Sequence, residues 1–234
     1  MESFISHCDE MMIAEESYIK NEKDLYWNKE KFDSGRINLC FVTGHSGSGK
    51  STFGKELSGE KNIEHYELDD LMCIKDHFSL KELKEYGDLI YTFFTGKGKK
   101  YYKTKEDIKT IPGSDYEDKL YIDFVKYSMD YAKSHKDKKF VIEGVWIFCN
   151  SEDGKPYFNP EEFKDYAFCI KGTSMIISKI RAAKRDAYDD GSIPVKRRIN
   201  FLNRAFTKNW KWYLIDEGRI NRFRKYFKEL INNE

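Results

Sequence analysis

Eight consecutive residues, Gly44-His45-Ser46-Gly47-Ser48-Gly49-Lys50-Ser51, follow the pattern G-x-x-x-x-G-K-[ST], with Thr52 directly after it. Each residue type has a chemical reason to be there. Glycines let the backbone fold tightly and aim several N–H groups into one concavity suited to phosphate oxygens. A helix starting at the end of the loop adds the positive end of its dipole. Lys50 would reach the β- and γ-phosphates, and the Ser51 hydroxyl would bind Mg²⁺. The segment Gly44 to Thr52 is therefore expected to hold a nucleoside triphosphate, with ATP and Mg²⁺ as the cofactors.

A phosphate cradle alone does not say what becomes of the γ-phosphate, so the facing groups matter. Asp69 and Asp70 close the run Glu67-Leu68-Asp69-Asp70-Leu71. A carboxylate there would accept the proton of an attacking hydroxyl, and Asp69 is the first choice for that base. An aspartate at such a position also serves as a helix N-cap, so one of the pair can cap while the other does chemistry. Glu143 ends Phe140-Val141-Ile142-Glu143-Gly144. An ionised carboxylate on a buried strand is costly unless it meets a cation or donors, which makes Glu143 a metal candidate beside Ser51 and Asp69.

Arg181 and Arg185 are four apart and share a helix face, where they would clamp a migrating phosphoryl group. With Asp189-Asp190-Gly191-Ser192 and Lys196-Arg197-Arg198 they form an expected closing lid over about 181–198. A solvated helix face is the alternative for each of these basic residues.

These groups need elements to carry them. Apolar runs predict strands over Ile37 to Thr43, Ile63 to Leu68, Lys139 to Val145 and Tyr166 to Ile170. Helices are expected from Lys50, over about Ser174 to Tyr188, and through Ile220, Phe223, Phe227, Leu230 and Ile231. Alternation of strand and helix argues for an α/β fold with a parallel sheet, whose ligands lie at the carboxyl ends of the strands. Residues 1–36 read as an N-terminal helical extension, and 37–234 as one domain. An inserted segment over about 72–138 mixes Tyr86, Tyr91, Phe93, Phe94, Tyr101 and Tyr102 with lysines, as either an acceptor cradle or a small helical cap.

Composition narrows the field. The chain has 41 basic and 40 acidic residues, a formal net charge of +1, and so lacks the basic footprint of a dedicated nucleic-acid binder. No apolar run reaches eighteen residues, and the start lacks a secretory pattern, so no membrane association and a cytoplasmic location are expected. Five cysteines without a C-x-x-C pair read as reduced thiols. There is no N-K-x-D guanine-reading motif.

With GHSGSGKST at 44–52, LDDL at 68–71 and VIEGVW at 141–146, the chain resembles the P-loop nucleoside and nucleotide kinases, uridine kinase-like and adenylate kinase-related. KIRAAKRDAYDDG at 179–191 is similar to their arginine-bearing lid. The resemblance implies a three-layer P-loop NTPase fold and Mg²⁺-dependent transfer of the ATP γ-phosphate to a small acceptor: a nucleoside, nucleotide or sugar. By position it implies Lys50 and Ser51 on phosphate and metal, Asp69 as base, and Arg181 and Arg185 as lid cations. The sugar-binding pattern of uridine kinases is not evident after Asp70, and the segment from Leu71 to Lys138 has no counterpart. A toxin-like kinase acting on a cell-wall sugar nucleotide shares this chemistry. A nucleotide-dependent switch or regulatory ATP-binding module, with no acceptor, is the reading from another class.

Overall fold

The computed structural model describes residues 23–59, 62–74, 80–101, 113–147, 157–173, 177–178, 181 and 210–233. Five strands form one sheet: β1 (Leu25–Trp27), β2 (Leu39–Thr43), β3 (Ile63–Glu67), β4 (Lys139–Glu143) and β5 (Ala167–Ile170). Their order is β1-β5-β2-β4-β3. β2 runs parallel to both β4 and β5, and β3 runs parallel to β4; only β1 is antiparallel, on β5. The protein is thus α/β with a mixed, mostly parallel sheet, and the four strands expected from apolar runs are all present.

Helices connect and cover the strands. They are α1 (Lys29–Asp33), α2 (Lys50–Ser58), α3 (Asp70–Ile74), α4 (Leu80–Glu85), α5 (Asp88–Thr95), α6 (Gly113–Ser134) and α7 (Trp210–Asn233). From β2 the chain passes through α2 to β3 at the far edge, and β4 then fills the gap between them. β5 takes the opposite side of β2. The connections therefore diverge at the carboxyl end of β2, which is the crevice-forming position in such sheets.

Side chains alternate across the sheet, so each strand feeds two cores. Leu39, Phe41, Tyr66, Phe140, Ile142 and Phe168 face the larger one, with aromatics of α5, α6 and α7. Cys40, Val42, Ile63, Val141 and Cys169 face the other way, under Phe53 and Leu57 of α2. The one-turn spacing of Phe53 and Leu57 is what turns α2 onto that face. On α7, Ile220, Phe223 and Phe227 are buried at helical spacing, while Ile231 is 43% exposed. Phe168 stacks on Phe227 with ring centroids 4.9 Å apart.

One expectation is corrected and one open alternative is narrowed. The extension read as helical contains β1, which closes the β5 edge of the sheet. Its Trp27 is buried, stacks on Phe227 and donates from Nε1 to the Lys164 carbonyl at 2.9 Å. A three-residue strand, Leu-Tyr-Trp, is too short for periodicity to separate it from helix. The described part of the 72–138 segment is helical, but Phe93, Phe94 and Tyr101 lie in the main core rather than lining an acceptor cradle. Tyr102 lies outside the described residues.

Candidate functional site

The glycine-rich loop leaves β2 at Thr43 and enters α2 at Lys50. Its turns use Gly44, Gly47 and Gly49 at φ +147°, +87° and +91°, a region side-chain-bearing residues rarely occupy. A Cβ on Gly44 would also lie 2.7 Å from Ser48 Oγ. The His45 carbonyl accepts from the Ser48 N–H at 3.0 Å and from Lys50 Nζ at 3.2 Å, so the lysine folds back over the loop. Gly49, the N-cap, offers no side chain to the first turn of α2. The Ser48 hydroxyl is buried without a hydrogen-bond partner. Ser46 and Gly47 are partly exposed and Thr52 is exposed.

Parallel pairing brings the carboxylates together. β3 and β4 are in register with Glu67 opposite Glu143, and His65, two residues before Glu67, shares its face. That face lies under α2. Ser51 Oγ, in the first turn of α2, donates to Glu143 Oε1 at 2.6 Å. His65 Nε2 stands 3.7 Å from Glu143 Oε2, with the two side chains 10% and 4% exposed. Burial pushes the Glu143 carboxyl up, but His65, the Ser51 hydrogen bond and the Lys50 charge outweigh it and hold the group below its ordinary range.

The neighbouring acids go the other way. Burial raises Glu67, and the Glu143 charge raises it further, against an opposing pull from Lys55. Asp70 is raised by burial and then by Asp69, with His65 opposing and Glu143 adding. Asp70, half-buried at the start of α3, thus feels the same charges as Glu67. Asp69 is exposed in the preceding turn and contributes no atom to the His65, Glu67 and Glu143 group. The arrangement is a cationic loop facing a cluster of acids, which suits a ligand that brings both phosphate and metal.

Some expected contributors are elsewhere. Arg181 is helical and exposed; Arg185 and the remainder of the lid to 198 lie outside the described residues. Gly144 packs against Leu68, whose Cδ1 would be 2.8 Å from a Cβ there. Sequence reasoning missed His65 and Glu67. The available signal was the polar i, i+2 pair inside Ile63-Glu64-His65-Tyr66-Glu67, since a strand that buries one face rarely places an imidazole and a carboxylate on it without a partner.

Among the described residues, no helix is long and apolar enough to cross a membrane. No protein-family model matches the chain, and no curated protein matches it.

Proposed function

We propose that this chain is a P-loop phosphotransferase that binds MgATP at residues 44–52 and moves the γ-phosphate to a small-molecule acceptor. The observation that carries the reading is the loop at the carboxyl end of β2. Three glycines at positive φ, a lysine folded back on the His45 carbonyl, and a helix start without a side-chain cap lie together in that loop. Backbone N–H groups and Lys50 would hold the triphosphate there.

The residues present also fit Mg²⁺. The Ser51 hydroxyl touches a buried carboxylate, Glu143, whose second oxygen has no hydrogen-bond partner. Bound by Ser51 and Glu143, Mg²⁺ would neutralise charge on the β- and γ-phosphate oxygens. Asp70 is the base in this reading, because it is half-buried at the start of α3, where burial raises its carboxyl, whereas Asp69 is exposed in the preceding turn. It takes the acceptor hydroxyl proton as the new O–P bond forms and the bond to ADP breaks. The acceptor is a nucleoside, nucleotide or sugar. Buried free thiols at Cys40 and Cys169 fit a reducing, cytoplasmic setting.

The test is MgATP consumption against nucleosides, nucleoside monophosphates, sugars and sugar nucleotides. Turnover should appear with one acceptor class and fall roughly 10²–10⁴-fold in Asp70→Asn, with ATP affinity kept. Asp69→Asn should retain most of it. Tight ATP binding with slow hydrolysis, unaffected by any acceptor, would establish a switch or regulatory module in place of a kinase.

A further inference from the structure

The carboxyl ends of β3 and β4 place two side chains that phosphate binding does not use, His65 and Glu67, beside Glu143, which it does. His65, Glu67 and Glu143 each offer one ligand atom, and these atoms lie within 4.8 Å of one another. Two of them face each other at 3.7 Å, too far for a hydrogen bond. His65 Nε2 and Glu143 Oε2 are buried without a hydrogen-bond partner, on side chains only 10% and 4% exposed. Leaving a charged or polar atom dry and unmatched costs free energy that a bound cation would recover.

We propose that His65 Nε2, Glu67 and Glu143 Oε2 form a binding site for a zinc-class divalent ion, held by the protein itself. The donor set decides the class. One imidazole and two carboxylates suit Zn²⁺ or Co²⁺, whereas Mg²⁺ prefers oxygen donors and keeps its waters. Size agrees: a tetrahedral ion with bonds of about 2.0–2.1 Å separates its ligand atoms by about 3.3–3.4 Å. Nε2 and Oε2 already stand 3.7 Å apart. The Glu67 ligand atom lies within 4.8 Å of both, on a partly exposed side chain at the end of β3.

Supporting contacts orient the ligands. Ser51 fixes Glu143 through Oε1 and leaves Oε2 towards His65. The His65 ring is seated against α2 at Gly54, where a Cβ would lie 2.4 Å from Nε2. Lys55 Nζ, 3.7 Å from Glu67, is 69% exposed and free to swing into solvent as the ion enters. Three protein ligands leave a fourth position open, as in sites where zinc contacts water or substrate. Glu143 would then be shared, with one oxygen towards the phosphate loop and the other on the ion.

The test needs no nucleotide. The full chain, stripped with a chelator, is titrated with Zn²⁺ against a chromophoric competitor, and with Co²⁺ by visible absorption. One equivalent should bind with a tetrahedral cobalt spectrum and no thiolate charge-transfer band. His65→Gln and Glu67→Gln should each weaken that binding by more than the ~10–100-fold seen when only an outer hydrogen-bond partner is lost. Lys50→Ala should bind the metal like the native chain while losing ATP, so the site stands even if the phosphotransferase reading fails. Equal zinc affinity in native and Glu67→Gln protein, or a cobalt spectrum dominated by thiolate, would overturn the proposal. His65 and Glu143 would then be an ordinary imidazole–carboxylate contact.

Discussion

The Ser51 hydroxyl donates a 2.6 Å hydrogen bond to Glu143 Oε1, joining the first turn of α2 to the end of β4 across 92 residues of chain. The bond links the end of the glycine-rich loop to the acids of the neighbouring strands. Ser51 and Glu143 were both expected to act on metal, and parallel pairing of β2 with β4 is what brings them within reach.

Ser51→Ala leaves a buried carboxylate short of its donor. It should cost about 1–3 kcal/mol of stability, the penalty for an unsatisfied buried polar group. In a Glu143→Leu background the same change should cost much less. Urea denaturation of the four proteins measures the coupling, and additive effects would show that the bond contributes nothing.

Gly54→Ala sets two effects against each other. Alanine favours the helix by about 1 kcal/mol, but its Cβ would overlap the His65 ring at 2.4–3.0 Å. Overlap with a buried ring wins, and a net loss of about 1–3 kcal/mol is expected. With His65→Ala present, the sign should reverse and Gly54→Ala should stabilise. Thermal melts of the single and double variants decide it.

Asp24 ties β1 to the end of β5. It accepts from Lys171 Nζ, from the Gly172 N–H at 2.8 Å and from the Tyr26 hydroxyl at 3.0 Å. Burial pushes its carboxyl up, but these donors and the Lys171 charge prevail and hold it low. A depressed folded-state pKa gives stability that is present above the unfolded value and is lost as pH falls through the folded one. The stability gap between native protein and Asp24→Asn should therefore be constant above about pH 5 and close below about pH 4. Denaturant midpoints between pH 3 and 7 measure it, and a gap that widens in acid would contradict the assignment.

Trp27→Ala should cost about 3–5 kcal/mol, as for other large aromatics removed from a core. Trp27 is 6% exposed, and its ring is 6.0 Å from that of Phe227. Urea denaturation of the variant would show whether residues 23–36 belong to the fold. A loss under about 0.5 kcal/mol, the size of an ordinary surface change, would mark them as dispensable.

The central strands were legible because each is a short apolar run bounded by polar or glycine residues, as in Leu39 to Thr43 before Gly44. The loop was legible because its chemistry is local: eight adjacent residues carry the turns, the cation and the hydroxyl. β1 was not, since three residues hold too little pattern and its partner β5 lies more than a hundred residues away. The aromatics of the 72–138 segment were ambiguous for a related reason. Phe93 and Tyr101 read alike as cradle or core until helix packing brings them together, ring centroids 6.3 Å apart.

Sequence alone determined an alternating α/β chain, a glycine-rich loop between a strand and a helix, and a handful of acids at strand ends. Those properties depend on residue type and near spacing. The seating of His65 against Gly54 and the meeting of Glu67 with Glu143 were decided only in three dimensions. Each depends on strand order and register, and a shift of one residue in β3 would turn His65 and Glu67 to the opposite face of the sheet.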